Sequence, residues 1–221
     1  MQKHVVVIYP HPDDESFGCS GTITQFRKEG IPVTYLCGTL GEMGRNMGSP
    51  FFANRETLPE IRKQELLDAC SVLDVQVEML GYRDKTIEFE SRDEIAEHIK
   101  TYLEQIKPSL VITHYPGEAV HPDHDAMGAA AIEAVRKMNP EDRPVLWAQA
   151  ITNDRYEKLG NPDVVRDVQD VFDTKMKAIE SHRSQFEGML NKFKQSPEFL
   201  GKNKDALERF YYEEFYTWKF E

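Results

Sequence analysis

Cysteine is scarce in this 221-residue chain: Cys19, Cys37 and Cys70 are scattered, odd in number and without a C-x-x-C pair. That argues against a disulfide framework and a cysteine zinc site, and leaves the three as small buried hydrophobes. Positive charge is also short, with 27 Lys and Arg against 38 Asp and Glu and a net charge of -11. Nucleic acid and anionic membrane both need a positive footprint, so neither is expected as a partner. An anionic ligand would have to be held by specific arginines. No apolar run is long enough to span a bilayer. Met1-Gln2-Lys3-His4 enters the first strand at once, leaving no room for a secretory signal, so a cytoplasmic protein is expected. No linker, internal repeat or low-complexity stretch divides the chain, and residues 1–221 read as a single domain. Finally, no G-x-G-x-x-G follows the first strand, and carboxylates at a helix start would repel a pyrophosphate. A nucleotide-binding module without catalysis is disfavoured.

What is present is a regular alternation. Val5-Val6-Val7-Ile8-Tyr9 reads as a strand buried on both faces. Ser16 to Glu29 reads as a helix, 32–37 as a strand, 58–73 as a helix and 75–80 as a strand. A helix over 93–106, a strand over 109–113, an alanine-rich helix over 125–138 and a strand over 145–151 follow. The stretch 38–54 carries four glycines and no period, which suggests a binding loop or lid. Further on, 168–172 suggests a short strand, 175–186 a helix and 209–220 an aromatic closing strand, with 187–205 ambiguous. The pattern predicts an α/β, Rossmann-like, mostly parallel sheet with helices on both faces. A strand order of 3-2-1-4-5 would make strands one and four neighbours at the switch point, where open sheets bind ligands.

Two clusters stand at that point. Pro10-His11-Pro12-Asp13-Asp14-Glu15 follows the first strand, and His121-Pro122-Asp123-His124 follows the fourth. His11 and Asp14, three apart in a turn entering a helix, can face one point. With His124 they make two nitrogens and one oxygen, a donor set that catalytic zinc uses while leaving a position for water. Asp13 then remains free as a base for the attacking water. His121 is the candidate second electrophile or general acid, and Asp123 a partner that orients an imidazole. The plain alternative is that these histidines are loop residues and the aspartates helix caps, but two separate His-Pro-Asp elements favour the metal.

These two motifs resemble the LmbE-like, or PIG-L, family of zinc-dependent N-deacetylases. Thr39-Leu40-Gly41-Glu42, Arg62-Lys63-Gln64-Glu65 and His182-Arg183-Ser184-Gln185 also look like family segments, so the resemblance spans most of the chain. Within the family it is closest to the bacillithiol-pathway deacetylases that act on N-acetylglucosaminyl malate. The resemblance implies His11, Asp14 and His124 as zinc ligands, Asp13 as base and later proton donor, and His121 as oxyanion partner. It also implies Arg62 as substrate anchor, a role in which a guanidinium can take a malate carboxylate bidentately. Fe2+ suits the same ligands. Weaker candidates for substrate contact are Glu42 and Arg45, with a solvated loop charge as the alternative, and Asp84, with a simple turn as the alternative. Glu15 reads as a first-turn charge and His182 as a satisfied helix residue. The expected partner is a small anionic glycoconjugate, with a homo-oligomer open.

Rival readings are deacetylation of an inositol or chitooligosaccharide conjugate, or an amidase acting on a thiol conjugate. A non-haem Fe(II) oxygenase would use Asp13 as ligand in place of Asp14. A sugar-binding relative without catalysis would have lost Asp13 or a ligand, and none is missing.

Overall fold

The computed structural model describes residues 2–195 and 210–220. Seven strands form one sheet: β1 (Val5–Tyr9), β2 (Val33–Cys37), β3 (Gln76–Met79), β4 (Leu110–His114), β5 (Val145–Gln149), β6 (Val164–Asp167) and β7 (Tyr212–Thr217). Their order is β3-β2-β1-β4-β5-β7-β6. The first five pair in parallel, as the alternating pattern predicts, while β7 runs antiparallel between β5 and β6.

The helices are α1 (Asp14–Gly18), α2 (Ser20–Lys28), α3 (Leu58–Leu73), α4 (Arg92–Ile106), α5 (Pro122–Arg136), α6 (Arg155–Leu159), α7 (Phe172–Ser181) and α8 (Arg183–Gln195). Side chains alternate across a strand, so β1 feeds two cores. Val6 and Ile8 pack with Ile95 and Ile99 of α4 and Met127 and Ala131 of α5. Val5, Val7 and Tyr9 pack with Ile23 of α2, Leu66 of α3 and Ala178 of α7. Each such aliphatic side chain, fully buried, stabilises the fold by about 1.5–3 kcal/mol. None of the helices among the described residues is long and apolar enough to cross a membrane.

Four sequence expectations are corrected. The helix over 16–29 is two, broken at Cys19, because Glu213 of β7 accepts the amide N–H groups of Gly21 and Thr22 at 2.9 and 2.7 Å and starts α2 afresh. The strand over 168–172 lies instead at Val164–Asp167; the Asp167 carboxylate accepts the Gln169 N–H at 3.0 Å and turns the chain. The helix over 175–186 is likewise two, because His182 turns inward between α7 and α8. The fifth helix begins three residues early, at Pro122, where proline's missing N–H costs nothing. His124 therefore sits on a helical first turn rather than in a loop. Arg209, at the start of the expected closing strand, and residues 196–205 lie outside the described residues.

Candidate metal centre and active site

The carboxyl ends of β1 and β4 are adjacent, and each runs into one His-Pro-Asp element. α5 lies against the end of β4 at Gly128, where a Cβ would come within 2.4 Å of the His114 carbonyl oxygen. That close approach brings the first turn of α5 over β1. His11 Nδ1 and His124 Nε2 lie 3.2 Å apart. One Asp14 oxygen is 3.4 Å from His11 Nδ1, and the other is 3.2 Å from His124 Nε2. A tetrahedral ion with bonds of about 2.0–2.1 Å needs ligand atoms about 3.3–3.4 Å apart, so this triangle has the right size for one.

The tautomers agree with that size. His124 Nδ1 is 2.9 Å from the Ala119 carbonyl oxygen, which only accepts, so Nδ1 carries the hydrogen and, in the neutral ring, Nε2 is the lone pair. His11 Nε2 faces Asp123 at 3.3 Å and Asp84 at 3.2 Å. In the neutral ring both carboxylates accept from Nε2–H, which leaves Nδ1 as the lone pair. In those tautomers two lone pairs and a carboxylate converge at a distance at which they could hold a metal ion. Burial opposes charge on His11 and His124, yet Asp123, Asp14 and Asp84 raise the His11 pKa well above its ordinary value, and Asp14 raises that of His124. Burial also opposes charge on Asp14, but His124 and His11 hold it well below the usual carboxylate range.

Asp13 stands beside the triangle in the left-handed region, at φ 112°. A non-glycine residue there is strained and is held by its surroundings. Its N–H donates to Glu15 at 3.0 Å, and its carboxylate accepts from Arg62 Nη2 at 2.9 Å. Burial pushes Asp13 up to about 6, with the Arg62 guanidinium opposing and Asp14 adding to the rise. His121 caps α5: its Nδ1 accepts the Asp123 N–H at 3.1 Å, so in the neutral ring the hydrogen is on Nε2. Burial first, then His11 and His124, lower its pKa.

The residues expected to touch substrate fall into two groups. Arg62 is buried and engaged, donating to Asp13, to the Gly41 carbonyl at 2.7 Å and to the Pro12 carbonyl. A Cβ at Gly41 would lie 2.0 Å from Arg62 Nη1, so only glycine admits the guanidinium there. Asp84 lines the cleft, faces His11 and accepts the Met43 N–H at 2.7 Å. Glu42 accepts the Asp84 N–H at 3.0 Å through one oxygen, while the other is buried without a partner. Arg45 is exposed and lines the cleft. Asp123 contacts His11 Nε2 at 3.3 Å and accepts the Lys85 and Ile87 amides at 2.6 and 3.1 Å.

His114 escaped the sequence reading, and so did the pairing of Glu15 with His182, each of which was read alone. His114 stacks on His124 at 4.1 Å and 12°, fixing that ring's plane; its place at the end of β4, on the same edge, was the available signal. Glu15 and His182, both fully buried, meet at 2.7 Å beneath Asp13 although 167 residues apart. Nothing local in the sequence pairs them.

The open cleft over the triangle has a volume of about 270 Å³. Residues 6–135 match the PIG-L family, described as GlcNAc-PI de-N-acetylase. A relative from Bacillus subtilis (strain 168), named probable N-acetyl-alpha-D-glucosaminyl L-malate deacetylase 2, is 52% identical over 98% of this chain and 97% of its own length. Among solved structures, the N,N'-diacetylchitobiose deacetylase of Pyrococcus horikoshii superposes with a TM-score of 0.73 at 27% identity, covering 98% of this chain and 84% of that one. A 4-carboxy-2-hydroxymuconate hydratase from Pseudomonas putida KT2440 reaches 0.75 at 17% identity, over 99% and 97% of the two chains, which shows the shared fold alone. With the family match covering more than half of its residues and a relative similar over its whole length, this chain belongs to the PIG-L family.

Proposed function

We propose that the protein is a divalent-metal-dependent N-deacetylase that hydrolyses the acetamide of N-acetylglucosaminyl L-malate, releasing acetate and the glucosaminyl amine. The full-length likeness to a malate-conjugate deacetylase supports the substrate. The reaction type rests on one observation above all, the triangle of His11 Nδ1, His124 Nε2 and Asp14 with its two bare imidazole lone pairs. In this reading those three side chains hold the metal, zinc in the first instance, with iron accepted by the same donors.

When bound, the metal lowers the pKa of a water molecule and polarises the acetyl carbonyl. Asp13, held by Arg62 and by its own N–H on Glu15, takes the proton as water attacks the carbonyl carbon. His121, with Nε2–H free to donate, stabilises the negative charge that develops on the carbonyl oxygen. Asp13 then returns the proton to the nitrogen as the C–N bond breaks, so the amine leaves neutral with acetic acid, whose remaining proton passes to the amine or to water to give acetate. Asp123 and Asp84 keep His11 in the required tautomer, and His114 keeps the plane of His124. Three buried, unpaired thiols are in keeping with a reducing cytoplasmic setting.

The test is acetate release from a panel of N-acetylglucosaminyl conjugates carrying malate, inositol or a second sugar. Expected is a preference for malate, with activity lost to a chelator and restored by zinc. Chelator-resistant acetate release would overturn the metal reading, and preference for another conjugate would overturn the substrate.

A further inference from the structure

The cleft is lined by three permanent cations, Arg45, Arg62 and Lys85. Arg62 faces Asp13 and two carbonyls, so its charge is already neutralised inside the protein. Arg45 and Lys85 are different: both side chains are exposed, and among the described residues neither has an ion pair or a side-chain hydrogen bond. In a chain of net charge -11, two unpaired cations at the rim of one small cleft are a feature to be explained.

Their mounting is rigid. Lys85 has φ 64°, a left-handed conformation uncommon for a non-glycine residue, and its N–H is tied to Asp123 at 2.6 Å. On the other side, Asp84 accepts the Met43 N–H at 2.7 Å and donates its own N–H to Glu42 at 3.0 Å. These bonds join the segment 42–45 to the segment 84–85 across the cleft mouth. Asn46 donates to the Gln185 carbonyl and fixes the far side of Arg45. Both cations are thus carried on backbone anchored to the carboxylates that orient His11.

We propose that Arg45 and Lys85 form an anion subsite that selects the dicarboxylate aglycone. The inference rests on the deacetylase reading above. The acetamide is on the sugar carbon next to the one bearing the aglycone, so seating it over the triangle brings the malate carboxylates to the cleft rim. One guanidinium and one ammonium there match two carboxylates, the guanidinium bidentately. An inositol or second-sugar aglycone offers no charge to these residues. Their desolvation cost without an anion penalises the neutral conjugate, which is discrimination by mismatch as well as by attraction.

The experiment compares kcat/KM for N-acetylglucosaminyl malate and for methyl N-acetylglucosaminide, a neutral substrate, in wild type, Arg45→Met, Lys85→Met and the double variant. Each lost charge-assisted contact is expected to lower the ratio of malate conjugate to neutral glycoside roughly tenfold, mainly through KM for the malate conjugate. The wild-type ratio should fall with added salt, since both cations are exposed. Arg45→Lys and Lys85→Arg should recover most of the ratio, which separates charge from folding. A wild-type ratio near one, or variants that keep the wild-type ratio, would overturn the subsite while leaving deacetylation standing. Acetate released from neither substrate would overturn the deacetylase reading, and the subsite with it.

Discussion

At the scale of single residues, the two adjacent aspartates of the first motif have opposite electrostatics. Asp14 is held ionised by two imidazoles, whereas burial pushes Asp13 up to about 6. Such a separation between neighbouring carboxyls is how one site carries both a ligand and a base. A base works deprotonated, so activity should fall as pH drops through the Asp13 pKa; a cation beside Asp14 lowers that pKa, so the acid limb of kcat/KM is expected at or below about pH 6. Arg62 opposes the rise. Arg62→Met should therefore move the acid limb to higher pH and lower kcat by about 10- to 100-fold, the scale of a misplaced base. A limb that stays in place would count against Arg62 acting on Asp13. The sequence made His11, Asp13, Asp14, His121 and His124 legible because spacing and residue type carry that chemistry. It did not reveal that Arg62 faces inward, because whether a helical arginine meets carbonyls or solvent depends on a loop 21 residues away, at Gly41.

At the scale of elements, local pattern located the first five strands and the helices between them, and failed where distant side chains intervene. The break at Cys19 follows from Glu213, nearly two hundred residues on, and the break at His182 from Glu15. Helical periodicity runs straight through both sites, so no local rule marks either one. The Glu213 carboxylate is compensated by the Lys175 ammonium at 2.5 Å, and both side chains are 1% exposed. This pair joins β7, α7 and the start of α2, and so supports the side of β1 away from α5. Removing one member of a buried pair leaves the other charge unpaired, at about 3–5 kcal/mol. Lys175→Met should lower stability by that amount in urea unfolding, and adding Glu213→Gln should recover part of the loss. A single variant as stable as wild type would contradict the role of this pair in holding the closing strand.

At the scale of the whole molecule, the site exists because the sheet order puts β1 beside β4. Residues over a hundred positions apart meet there, as a strand order of 3-2-1-4-5, common in such sheets, implies. A hydratase at 17% identity has the same fold, so topology by itself does not choose a reaction. The proposed mechanism divides labour between neighbours, with His11, Asp14 and His124 on the metal and Asp13 on the proton. The most direct test is the zinc content per chain and the acetate released from N-acetylglucosaminyl malate, measured on the same samples of wild type, Asp13→Asn and His124→Ala. One zinc per chain is expected in wild type and Asp13→Asn, with acetate release falling by at least about 10²-fold in the latter, and zinc is expected to be lost from His124→Ala. Wild-type acetate release from Asp13→Asn, or a full zinc complement in His124→Ala, would contradict that assignment.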